Sequence, residues 1–189
     1  IPSAYYQNGE MYNFWRDAEN VRGVWRKTSF ESYLEDQPVW ENILDIDQLA
    51  ESEGINWLFR GADCLAPEYK RCLIRLSDGG TDAVTIREFD LNEKKFVKDG
   101  FNTYPSKQNA SWVNENQILI GADFGEGSMN ESGYPMQVKL WNRGEALDDA
   151  KIFFTGSYEK IFSFPFVSIR PDGKHYGIIE GPTFFTKVL

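Results

Sequence analysis

Three short strand patterns follow one another in residues 57–91, each bounded by turn residues. The first reads Trp57-Leu58-Phe59-Arg60-Gly61-Ala62-Asp63-Cys64-Leu65, the second Arg71-Cys72-Leu73-Ile74-Arg75-Leu76, and the third Val84-Thr85-Ile86-Arg87-Glu88-Phe89-Asp90-Leu91. In the second, Cys72, Ile74 and Leu76 fall on one face, and Arg71, Leu73 and Arg75 on the other. A meander of three or four such strands cannot bury its apolar faces by itself. It needs similar neighbours, so the rest of the chain should repeat it.

Gly61-Ala62-Asp63-Cys64 recurs as Gly121-Ala122-Asp123-Phe124, at an offset of about 60 residues, just above the usual repeat lengths. A weaker match aligns 111–120 with 168–178, each a strand, a tight polar turn and a strand. Sheets repeated at this pitch are expected to be blades of a β-propeller. A β-sandwich of spaced short strands is the alternative. The expected fold is all-β, with about three consecutive antiparallel four-stranded blades of a partial propeller in a single domain over 1–189. The blade-like units fall at about 1–50, 51–110 and 111–160, with the start of a further blade at 161–189. A complete propeller needs more blades than this length holds, and the expectation is a piece of a larger ring.

Apolar residues make up 41% and aromatic residues 15% of the chain, enough for a core and too many for disorder. The formal net charge of −9 repels phosphate backbones, which argues against a nucleic-acid partner. No run reaches the length of a membrane span.

Residues 1–40 carry many rings, with two strands expected around a turn at 17–20 and Phe14 and Trp25 facing the core. Residues 30–34 read as one helical turn. Val39 to Leu44 reads as a strand, Asp47 as the cap of a short helix, and Gly54 as its left-handed end. Lys94 and Lys95 guard an outer edge at Phe96. Residues 98–110 read as a connection between blades. Met136 to Trp141 alternates strictly and is the clearest strand. Before it, residues 125–135 form a loop longer than a hairpin needs, either a solvated insertion or a contact site. Pro171 and Gly173 mark a tight turn.

Chemistry is sparse. No Gly-x-Ser-x-Gly occurs, and Ser128 has glycine only at Gly127. His175, the only histidine, follows a hairpin turn, a poor place to orient a catalytic imidazole. Asp63 and Asp123 sit at matching repeat positions and read as acceptors of backbone N–H groups where strands end, with a metal or acid–base pair as the sharper alternative. Cys64 and Cys72 read as two buried thiols, with a disulfide as the alternative. Asn109-Ala110-Ser111 and Asn130-Glu131-Ser132 match the glycosylation pattern. No catalytic, cofactor or metal residue is assigned from the sequence.

Several segments resemble the propeller domain of prolyl oligopeptidase-family serine peptidases. They are Tyr12-Asn13-Phe14-Trp15-Arg16-Asp17 with Asn20-Val21-Arg22-Gly23-Val24-Trp25-Arg26, and Gly61-Ala62-Asp63-Cys64-Leu65 with Pro67-Glu68-Tyr69 and Arg71-Cys72-Leu73. Arg87-Glu88-Phe89-Asp90, Gly121-Ala122-Asp123-Phe124-Gly125 with Ser132-Gly133-Tyr134-Pro135, and Pro182-Thr183-Phe184-Phe185-Thr186 complete the series. The resemblance implies the early blades of a seven-bladed propeller that caps a C-terminal α/β-hydrolase domain and admits only short peptides. The family's catalytic residues match no position here. A stand-alone binding module that shares the blades is the alternative. Unpaired strand edges of a partial propeller would favour self-association.

Overall fold

The computed structural model describes residues 3–157, 159–170, 172–183, 186 and 188. By backbone contacts the chain divides into two units, Ile1–Thr81 with Arg87–Val97, and Asp82–Ile86 with Lys98–Leu189.

The first unit opens with an antiparallel sheet in the order β1 (Tyr5–Gln7), β2 (Glu10–Trp15), β3 (Val24–Ser29) and β4 (Glu41–Asp45). The expected pair of strands around residues 17–20 is β2 and β3. Asp17 makes the turn, its Oδ1 accepting N–H bonds from Glu19 at 3.0 Å and Asn20 at 2.7 Å. Its Oδ2 accepts from the Trp15 indole at 2.7 Å. These bonds, the Asn20 N–H foremost, hold the Asp17 carboxyl down at about 2. The short β1 was not anticipated, since three residues give no periodicity to read.

After β3, Ser29 caps α1 (Phe30–Tyr33) by accepting from Ser32 N–H at 3.1 Å. α2 (Ile46–Glu53) follows β4. The expected cap is displaced by two residues. Asp45 is the N-cap and accepts from Gln48 N–H at 3.0 Å, while Asp47 lies in the first turn. An aspartate at either position suits a helix start, and the pair differ only in where β4 releases the chain. Gly54 ends the helix in the left-handed region, as expected.

The second sheet is β5 (Trp57–Cys64), β6 (Arg71–Asp78), β7 (Thr85–Asp90) and β8 (Lys95–Phe96), in that order. One core joins it to the first sheet. Tyr12, Trp25 and Leu44 come from the first, Cys72, Ile74, Leu76 and Phe89 from the second, and Ile46 and Ala50 from α2. Trp25 is at its centre, with ring centroids 5.8 Å from Tyr12, 5.9 Å from Phe59 and 6.4 Å from Phe89. Phe14 stacks on Phe59 at 4.8 Å. The side chains of Cys72, Ile74 and Leu76 alternate into this core as their spacing requires.

Cys64 and Cys72 are directly opposed in the β5–β6 register and form a disulfide, which corrects the reading of two free thiols. Residues eight apart become partners only when the intervening turn closes. Leu65 N–H donates to Arg71 O at 2.8 Å and Tyr69 N–H to Leu65 O at 2.8 Å, closing it.

A chain of charges crosses β2, β3 and β4 and reaches the turn before β8. Lys27 bonds Glu10 at 2.9 Å and lies 3.8 Å from Glu41, and Glu41 meets Lys94 at 2.7 Å. The expected lysine guard is therefore half spent on a partner, and β8 is blunted by its two-residue length.

In the second unit the order is β12 (Lys151–Thr155), β11 (Gln137–Asn142), β10 (Gln117–Gly121) and β9 (Asn109–Asn114). β13 (Phe162–Arg170) and β14 (Gly173–Gly181) pair antiparallel. Val113, Leu119 and Val138 form the core, with Leu140, Phe154, Val167 and Ile178 packed on it. β11 is buried on both faces. Its Lys139 donates to the carbonyls of Leu147 at 3.3 Å and Asp148 at 2.7 Å and lies over the Phe124 ring. That satisfies an ammonium that would otherwise be costly to bury.

The connection before β9 is pinned, and Phe101 packs edge-on against Trp112 and Trp141 at 5.8 and 5.0 Å. Val84 and Ser106 exchange backbone bonds at 2.8 and 3.2 Å. The expected turn residue Pro171, and Phe184, Phe185, Lys187 and Leu189 of the closing apolar run, lie outside the described residues.

The repeats fare unequally. The weak match, 111–120 with 168–178, joins the first and second strands of two sheets in both copies. The stronger Gly-Ala-Asp match does not. Gly61, Ala62 and Asp63 lie within the first strand of one sheet, whereas Gly121 ends the second strand of another. Asp63 and Asp123 are therefore not equivalent. A three-residue identity is too short to carry register, and strand period and turn placement carry it instead.

Trp25→Ala should lower unfolding free energy by about 3–5 kcal/mol in a urea melt, the usual loss for a large ring removed from a core. Glu41 offers a pH test. The Lys94 hydrogen bond, opposed by partial burial and helped by Lys27, sets its carboxyl below the usual value. Its contribution is therefore full above the unfolded carboxylate range and is lost as pH falls through the lowered folded value. Because the pair is half exposed, Glu41→Gln should cost only about 0.2–1 kcal/mol at pH 7. Urea melts from pH 7 to pH 3 should show the wild type and the variant converging.

Candidate functional site

No catalytic constellation assembles from the sequence candidates. His175 Nε2 lies 2.9 Å from Asp172 Oδ1, with its side chain 44% exposed. The Ser128 hydroxyl is buried. It accepts from Phe124 N–H at 2.8 Å, donates to Gly125 O at 2.7 Å, and stands 3.4 Å from Asp123 Oδ1. Its described polar neighbours are thus a carboxylate and main-chain groups. Among the described residues no group of three or more His, Cys, Asp or Glu side chains is placed to hold a metal.

Asp123 behaves as expected of a strand-end acceptor, taking Gly125 N–H at 2.9 Å. Asp63 lies inside β5, where burial pushes its carboxyl up and the Arg75 charge opposes the shift. Its solvent exposure as a whole residue is high.

The long loop before β11 is a built element. Asn130 Oδ1 accepts N–H bonds from Ser132 and Tyr134, both at 3.0 Å, and Asn130 Nδ2 donates to Ile161 O at 2.6 Å. Lys107 donates to Ser132 O at 3.0 Å and sits over the Tyr134 ring. Asn130 is spent on the loop, so its match to a glycosylation pattern is structural in effect. Glu126 and Glu131 remain at the exposed tip.

One cleft in the first unit combines opposite charges at the end of the sheet where β2 turns into β3 and β4 runs into α2. Arg22, Asp47, Glu51 and Asn56 line about 500 Å³, with Ala50 and Ile55 beneath. Both Asp47 oxygens accept from Arg22 N–H, at 3.1 and 2.9 Å, and Oδ2 also accepts from Gly23 N–H at 3.4 Å. Ile46 N–H donates to Gly23 O at 3.0 Å. Gly23 has φ 104, and a Cβ there would stand 2.5 Å from the Phe14 ring, so only glycine fits. The Arg22 guanidinium makes no hydrogen bond or ion pair among the described residues. Sequence reasoning missed this cleft because nothing local links residue 22 to residue 47. The one available sign was a second aspartate beside the helix start, Asp45 with Asp47.

Residues 1–179 match the family described as prolyl oligopeptidase, N-terminal β-propeller domain. An uncharacterised peptidase of Sinorhizobium fredii is 42% identical over 172 residues, covering 91% of this chain and 24% of its own length. A post-proline cleaving enzyme from Rickettsia typhi superposes with a TM-score of 0.91 at 30% identity, over 98% of this chain and 28% of that one. Oligopeptidase B from Leishmania major shares the fold, with a TM-score of 0.71 at 12% identity over 95% of this chain and 24% of that one. The chain thus spans about a quarter of the length of the curated relatives it matches. With sheets that are consecutive four-stranded antiparallel meanders, it belongs to the prolyl oligopeptidase N-terminal β-propeller family and forms part of such a propeller.

Proposed function

We propose that this chain is part of the gating propeller of a serine peptidase that hydrolyses short peptides, with the hydrolytic chemistry in a C-terminal α/β-hydrolase domain of the full-length protein. The observation that carries the reading is the family match over 1–179, on a chain whose candidate residues assemble no nucleophile and base. A propeller supplies a rigid rim and a size limit, while bond cleavage needs an activated nucleophile held elsewhere. On this reading residues 1–189 form one domain, with blade units near 1–50, 51–110 and 111–160 and a further blade begun at 161–189. Support comes from each four-stranded sheet being drawn from one of those stretches.

Open edges are the natural route to self-association of this domain. β12 is one edge with exposed apolar side chains, Ile152 at 51% and Phe153 at 48%.

A fluorophosphonate probe should label the full-length protein and leave residues 1–189 alone, and the full-length protein should cleave short peptides and spare folded proteins. An unlabelled, inactive full-length protein would leave the stand-alone binding module in its place. In sedimentation at rising concentration, Phe153→Lys should shift the 1–189 stretch toward monomer; an unchanged profile would remove β12 as the contact.

A further inference from the structure

The cleft at Arg22 holds more organisation than the fold requires. The Arg22 main chain is fixed from three sides: by the Asp47 carboxylate on its N–H, by Arg16 Nε donating to its carbonyl at 3.2 Å, and by Gly23 wedged against Phe14. Arg22 as a residue is half-buried, and the guanidinium carried on that fixed backbone has no partner among the described residues. Glu51, also on the cleft wall, makes no hydrogen bond or ion pair there either. The Asp47 oxygens accept the Arg22 and Gly23 backbone N–H groups, and no contact joins that carboxylate to the guanidinium.

Two unspent charges of opposite sign over an apolar floor exclude simple ligands. An inorganic anion would satisfy Arg22 and be repelled by Glu51. A cation would meet the reverse. A molecule with a carboxylate at one end and an ammonium at the other satisfies both, and a guanidinium is the group best shaped for a carboxylate. The volume of about 500 Å³ lies within the range of small-ligand sites.

We infer that the Arg22–Glu51 cleft binds a short peptide by its free ends, the C-terminal carboxylate on Arg22 and the N-terminal ammonium on Glu51. The ligand class rests on the peptidase reading above, and the site concerns binding and orientation, not bond cleavage. It favours substrates and products short enough to present both termini together.

The test is calorimetric titration of the full-length protein, pretreated with an organophosphonate to stop any turnover. Tetra-alanine should bind, and its C-terminal amide and its N-acetyl form should each bind about tenfold more weakly, the size of one charge-assisted hydrogen bond. Arg22→Gln should weaken tetra-alanine to the same degree without further weakening the amide, and Glu51→Gln should behave likewise toward the N-acetyl form. Arg22→Lys, which keeps the charge, should recover part of the loss. Thermal melting of each variant separates lost binding from lost folding. Equal binding of tetra-alanine and its amide, no binding at all, an Arg22→Gln variant that melts normally and binds normally, or equal binding of sulfate would each overturn the inference. Peptide hydrolysis by untreated protein is read separately, so a peptidase with an inert cleft and a peptide-binding cleft on an inactive protein remain distinguishable.

Discussion

The burial of both faces of central strands such as β6, β10 and β11 governs this structure. Strand β6 sends Cys72, Ile74 and Leu76 one way and Leu73 and Ser77 the other, and all five are almost wholly buried. A sheet of that kind has no solvent side and cannot exist as a lone layer. In the first unit the requirement is met on one face by the ring cluster about Trp25, where two sheets share a core that neither could close alone. Repetition of the meander answers this demand in propellers in general.

That demand also explains how the polar groups are arranged. Several buried polar side chains are satisfied by nearby main chain. Lys139 finds two carbonyls of the turn after its own strand, and Thr103 accepts the Ile86 N–H at 2.8 Å. Asn130 and Asp123 do the same for the long loop. Loops tied in this way cost little entropy on binding, which suits a domain whose proposed role is to present a fixed rim.

Much of the fold was legible because strand period and turn chemistry act locally. Alternation places the Cys72–Ile74–Leu76 series, the turn at 17–20 places Phe14 and Trp25 on facing strands, and Gly54 is placed by its helix-ending role. Errors arose where the deciding partner is distant or the local cue is duplicated. Asp45 and Asp47 look alike to a capping rule, and only the contact with Arg22 and Gly23 separates their tasks. The Gly-Ala-Asp repeat misled because residue identity says nothing about which strand of a sheet a segment occupies, whereas the strand–turn–strand match carried that information in its spacing. The cleft at Arg22 was invisible for the same reason, since its walls come from a turn and a helix that meet only after β3 and β4 pair.

The Cys64–Cys72 bond encloses the one turn that links β5 to β6. A protease that severed the backbone anywhere between those two residues would not release a fragment. The severed ends would stay covalently fastened, and on an electrophoretic gel the two pieces would part only when reductant is present.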